Sequence, residues 1–207
     1  MNSDAPYSFS FLAGALFLKE SVAVAGIVSR CRDWRQVAVL AAEQNLLRQR
    51  TAASRTRLLR EIRYRLQELS SKELAFFTGA GSSDQRQLLF IAVCLRFRFI
   101  REFVDEVLRP KALAMDLQIY PTDFARFFDR KGTETPAIES LTDKSKAKIK
   151  QVLTRMLAEG GLIDSTKSQR LQSAFPSRAL SRLVAETDSK RLRFLLLPEA
   201  SIRQYTT

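Results

Sequence analysis

Arginine is the residue type whose placement in this chain most suits a chemical task. Arg48, Arg50, Arg55, Arg57, Arg60, Arg63 and Arg65 crowd one stretch in which Glu61 is the one acidic residue. A guanidinium fork contacts phosphate bidentately and is less tightly hydrated than an ammonium, so this pattern suits a phosphate-bearing ligand. The competing use is salt bridging between packed helices, with Glu68, Glu73, Asp105 and Glu106 as the available partners.

A second set lies in residues 143–159. On a wheel of about 100° per residue, Ile149, Val152, Leu153, Met156 and Leu157 form one stripe, and Lys144, Lys148, Gln151 and Arg155 cluster opposite it. One face packs and the other presents cations and an amide. In a helix-turn-helix or winged-helix module such a face enters the major groove, where these side chains reach phosphates and base edges. The apolar run 192–197 before Pro198 reads as a strand, so Lys190, Arg191 and Arg193 are candidates for a basic wing. The same residues read equally as the end of a helix, since Leu and Arg are good helix formers. For the 143–159 face the plain alternative is a solvated lysine surface.

A third group interleaves Arg96, Arg98 and Arg101 with Phe97, Phe99 and Phe103, which resembles a platform for stacking single-stranded bases. Helical spacing makes those phenylalanines better candidates for core. Glu102, Asp105 and Glu106 have no second carboxylate cluster or phosphate-cradling glycine loop beside them, and Gly79-Ala-Gly81 lacks dinucleotide-binding spacing. The chain has no histidine, which removes the commonest general base, the Ser/His and Cys/His nucleophile pairs and most zinc sites. Cys31 and Cys94 have no CxxC spacing and read as packed thiols of a reducing compartment. These residues therefore predict a non-enzyme without cofactor, metal or small-molecule substrate.

The elements that must carry the basic faces are helical. Only 7 Gly and 6 Pro punctuate 207 residues, and 45% hydrophobic content is enough for a sizeable core. Residues 11–47 predict two helices broken near Cys31-Arg32-Asp33, with Asp33 capping the second over a stripe of Trp34, Val37, Leu40 and Ala41. A third helix over 54–69 buries Leu58, Leu59, Ile62, Leu66 and Leu69, and turns Arg57, Arg60 and Tyr64 away from them. After the turn at 79–83, Asp84 is expected to cap one long central helix reaching Leu108. Pro121 and Asp123 open a short helix bearing Phe124, Phe127 and Phe128, and 130–136 is the candidate linker. A Gly160-Gly161 stop and a helix after Pro176 follow. The expectation is a mainly α protein: a multi-helix bundle over 1–131, then a small helix-turn-helix or winged-helix-like unit over 132–207 with at most a short β hairpin.

Charge sets the partner class. With 34 basic against 22 acidic residues, the formal net charge of +12 attracts polyanions, nucleic acid foremost. Residues 9–28 are apolar but carry Lys19, Glu20 and Ser21 at their centre, which argues against a membrane span. Asp4 is the one charge before that run, so no basic signal-peptide region precedes it. A cytoplasmic location and no membrane partner are expected.

Several stretches together resemble the BrxA family of BREX (bacteriophage exclusion) defence systems. They are Ser10-Phe-Leu-Ala-Gly-Ala-Leu, Lys19-Glu-Ser21, Asn45-Leu-Leu, the Arg-Leu-Leu-Arg-Glu-Ile core within 51–65, Ser83-Asp-Gln-Arg and Phe103-Val-Asp-Glu-Val. Asp123-Phe, Phe127-Phe128 and Leu141-Thr through Leu157 continue the pattern over nearly the whole chain. The resemblance implies a helical, partly NusB-like protein without known catalytic activity, associated with DNA and with other BREX components. Double-stranded DNA is thus the expected partner, through Arg48, Arg50, Arg55, Arg57, Arg60, Arg63, Lys144, Lys148, Gln151, Arg155, Lys190, Arg191 and Arg193. A protein scaffold of the defence complex and an RNA-binding NusB-like factor are the alternatives.

Overall fold

The computed structural model describes residues 7–31 and 33–205, so Asp4 and Arg32 lie outside the described residues. A 3₁₀ turn at Ser10–Ala13 leads into α1 (Leu18–Cys31), α2 (Trp34–Glu43), α3 (Ala52–Leu66), α4 (Ser71–Gly79) and α5 (Ser82–Arg96). Then come α6 (Arg98–Phe103), a π-helical turn (Val104–Leu108), α7 (Arg109–Leu113), α8 (Pro121–Glu134), α9 (Pro136–Glu139) and α10 (Asp143–Gly160). The chain closes with α11 (Arg178–Asp188), a 3₁₀ helix (Ser189–Leu195) and α12 (Glu199–Arg203). Among the described residues β pairing is limited to two isolated antiparallel bridges, Gln118 with Arg170 and Ile163 with Leu171. The fold is mainly α, as expected.

Local chemistry starts and stops these helices. Asp33 accepts the Arg35 N–H at the head of α2, the cap read from the sequence. Thr51, Thr142 and Ser177 do the same for α3, α10 and α11. Each such cap satisfies an orphan donor and stabilises by about 1 kcal/mol. At α4 the cap is reciprocal, Ser70 with Glu73. Gly161, with φ 79°, takes the left-handed conformation that ends α10.

Helix α5 is the centre of the molecule: Gln87 through Cys94 are buried around its whole circumference, against α1, α3, α4, α10 and the C-terminal 3₁₀ helix. The buried cluster runs from Phe11 to Ile202, so side chains from both sides of the expected boundary at 131/132 belong to it. Burial pushes the Cys94 thiol well above its ordinary pKa, consistent with a packing role.

Four expectations need correction. The helix from residue 82 does not run unbroken to Leu108, because Phe97 is extended (φ −112°) between α5 and α6. Residues two apart on a helix point to nearly opposite sides, and the break lets Phe97 and Phe99 enter one core, against Phe11 and Phe127 respectively. Asp84 is not the cap of α5; that position is Gly81, and Asp84 instead accepts the Ser177 N–H and Oγ–H at 3.1 and 2.6 Å. The candidate linker at 130–136 is helical over most of its length, with Lys131 buried. Finally, the apolar run at 192–197 is no strand: 189–195 is 3₁₀, burying Leu192, Phe194 and Leu195, so the expected wing does not form there.

Candidate nucleic-acid interface

The arginine-rich stretch divides into two populations. Arg65 is fully buried, and its Nη1 donates to the carbonyls of Ala15 and Leu16 at 3.0 and 2.8 Å. Burial drives its pKa down to about 10, against the pull of Glu61 and Glu159. Arg48, Arg50, Arg57, Arg60 and Arg63 are exposed, and Arg55 is half-buried. Among the described residues none of these six has a carboxylate within 4.0 Å. Three of the four carboxylates named as competitors are engaged elsewhere: Glu68 faces Arg96, Glu73 faces Arg191, and Glu106 faces Arg130 and Lys131. Arg63 lies over the Trp34 ring at 5.3 Å, which fixes its direction without neutralising it.

On α10 the apolar stripe is buried as read, and Lys144, Lys148, Gln151 and Arg155 are all exposed. Lys148 Nζ donates to Gln151 Oε1 at 3.0 Å, and Arg155 Nε donates to Glu159 Oε1 at 2.9 Å. At the C-terminal end Lys190 is exposed, whereas Arg191 and Arg193 pair with Glu73 and Glu199 at 3.4 and 2.7 Å. The stacking platform is overturned: Phe97, Phe99 and Phe103 are at most 1% exposed. They pack in a ring cluster with Phe11, Phe124 and Phe127. Its neighbouring cations are also occupied, Arg96 lying over Tyr64 and Arg98 bonding Glu102.

Three concavities between the α3 and α10 faces share lining residues in turn. One concavity of about 160 Å³ is lined by Phe17, Gln49, Ser54, Arg57 and Leu58. Its neighbour, about 610 Å³, shares Phe17 and reaches Lys19, Glu20, Arg86, Arg155 and Glu159. A third shares Arg155 and continues to Lys150, Gln151, Thr166 and Gln169. Cations thus follow one another from Arg57 through Lys19, Arg86 and Arg155 to Lys150. Of the two carboxylates lining the concavities, Glu159 is already held by Arg155 and by the Leu16 N–H at 2.6 Å, and Glu20 opposes an anion. Sequence reasoning missed Lys19, Arg86 and Lys150 as site residues. Each is isolated from the basic clusters along the chain or sits off the wheel arc, so no local signal marks it.

The chain matches the family model described as BrxA over residues 5–188. The BREX protein BrxA of Escherichia coli O9:H4 (strain HS) is 24% identical over 178 residues, covering 84% of this chain and 82% of that protein. The BREX protein BrxA of Bacillus cereus (strain H3081.97) is 22% identical over 130 residues, 63% of this chain and 65% of that one. Among solved structures, an uncharacterized protein from Magnetospirillum magneticum superposes with a TM-score of 0.78 at 20% identity, over 93% of this chain and 98% of that chain. That likeness is one of fold.

Proposed function

This chain belongs to the BrxA family, and on that premise we propose that it serves a BREX phage-defence system as a non-catalytic component that binds double-stranded DNA. Two relatives bear the name BREX protein BrxA, which supports the system. The observation that carries the DNA reading is the outer side of α3, where Arg57, Arg60 and Arg63 stay exposed with no carboxylate in ion-pair range among the described residues. Cations left unpaired in a molecule of net charge +12 attract phosphate by releasing its condensed counterions.

Phosphate contacts come from Arg48, Arg50, Arg55, Arg57, Arg60 and Arg63, and the run of concavities leads the strand to Lys144, Lys148, Gln151 and Arg155. Arg155, Arg191 and Arg193, each held by a glutamate, contribute less, as does Lys190 beside them. Such contacts are sequence-independent, so the affinity is expected to be largely nonspecific. The test is a fluorescence-anisotropy titration against matched duplex DNA, single-stranded DNA and RNA at several salt concentrations. Tightest binding to duplex, weakening steeply with salt, supports the reading; no duplex binding near physiological salt sinks it.

One observation favours a scaffold role instead. Along α2, Val39 is 55% exposed and lines an apolar groove with Leu40, between Arg35 and Glu43. A scaffold should retain a protein partner at high salt, where phosphate-driven binding fades.

A further inference from the structure

Phe17 holds a conformation that needs an explanation. Its φ of 58° places a bulky side chain in the left-handed region, where steric cost is normally avoided. The surrounding structure imposes it. Arg65 Nη1 grips the carbonyls of Ala15 and Leu16, and Glu159 grips the Leu16 N–H. The Arg65 guanidinium lies over the Phe17 ring at 5.2 Å. The ring tip rests against Gly14, whose φ of 155° suits glycine and where a Cβ would come 2.4 Å from Phe17 Cζ. Three anchors therefore hold a ring that packs against the edge of the core. It is half-buried and lines two adjoining concavities.

The smaller concavity has Phe17 and Leu58 as apolar walls and Gln49, Ser54 and Arg57 as a polar rim. Gln49 Nε2 donates to the Leu47 carbonyl, which leaves its amide oxygen to accept. An aromatic wall with hydrogen-bonding groups beside it in a concavity of about 160 Å³ suits a planar heterocycle with polar edges. Arg57 at its rim, and Lys19, Arg86 and Arg155 beside Glu20 and Glu159 in the adjoining concavity, supply cations for the flanking phosphates. Backbone strain concentrates where function needs a side chain held against its preference.

We propose that Phe17 is a stacking residue for one unpaired nucleobase, so that DNA with an extruded or unpaired base binds more tightly than fully paired duplex. The inference rests on the DNA-binding reading above. Base–aromatic stacking measured by alanine substitution predicts a preference of about tenfold.

The experiment compares anisotropy titrations of two otherwise identical duplexes, one fully paired and one with a single extra, bulged adenine in one strand. Wild-type protein should bind the bulged duplex about tenfold more tightly. Phe17→Leu keeps apolar volume and removes the π face, and should bring the two affinities together. Gly14→Ala displaces the ring from a neighbouring position and should do the same. Equal binding of both duplexes by wild type, or a preference that survives Phe17→Leu, overturns this inference and leaves DNA binding intact. Failure to bind either duplex overturns both. If a variant does not fold, the wild-type ratio still decides.

Discussion

Along the outer side of α3, Arg57, Arg60 and Arg63 face solvent with no carboxylate within 4.0 Å among the described residues. Between α6 and α8 the arrangement is the reverse. Lys131, 5% exposed, meets Glu102 at 3.0 Å and Glu106 at 2.7 Å, and Arg98 and Arg130 close on the same two carboxylates. The Tyr7 hydroxyl donates to Glu102 at 2.5 Å, and burial followed by that bond raises the tyrosine's pKa. Cations spent on holding helices together are unavailable to a ligand, and cations left unpaired add little to the fold. Local density of positive charge does not separate the two uses; the position of the nearest carboxylate does.

The comparison can be broken most forcefully at Lys131. Replacing it with Met strands Glu102 and Glu106 with fewer counter-charges, and should cost about 3 kcal/mol in urea unfolding while DNA affinity stays within twofold. A fully stable variant would mean that the network contributes little. Next in size, Arg57→Glu with Arg60→Glu should weaken duplex binding by about tenfold or more near physiological salt and lower the salt slope by about 2. Unfolding should move by no more than about 0.5 kcal/mol, as for surface changes in general. Unchanged binding with folding intact would remove α3 from the interface.

Smaller effects test the C-terminal end. Arg191→Gln leaves the fully buried Glu73 without its cation, so about 1–2 kcal/mol of stability should be lost with little change in DNA affinity. A binding loss larger than that of the α3 reversals would invert the assignment. The smallest expected signal is a pH dependence. Burial raises the Glu102 carboxyl, but hydrogen bonds from Tyr7, Arg98 and Lys131 outweigh it and hold the pKa below the ordinary 4.5. A carboxylate depressed in the folded state contributes stability present above that ordinary value and lost as pH falls through the folded one. Glu102→Gln should therefore flatten the acid limb of a stability–pH curve below about pH 4.5, and an unchanged limb would assign acid sensitivity elsewhere.

Much of the architecture was legible along the chain. The buried stripe of α10, the cap at Asp33 and the leucine face of α3 each depend on residues within a turn or two of one another, where periodicity and capping act. The break at Phe97 was not legible, because it answers to rings on the 3₁₀ turn before α1 and on α8. The run at 192–197 misled for a related reason: a short apolar segment looks alike as a buried strand or a buried helix, and only its dock decides.

The candidate site was half legible. Sequence alone determined that arginines gather on α3, that α10 presents a cationic face opposite an apolar one, and that net charge favours a polyanion. It did not determine which cations remain available. Glu73 meets Arg191 across 118 positions and Leu16 meets Glu159 across 143. The run of concavities likewise exists because the loop before α1 lies between α3 and α10, with Phe17 on one side and Arg155 on the other. Helix periodicity and caps are fixed by neighbours along the chain, whereas the neutralisation of a charge and the shape of a groove are fixed by neighbours in space, which only the packing of helices around α5 supplies.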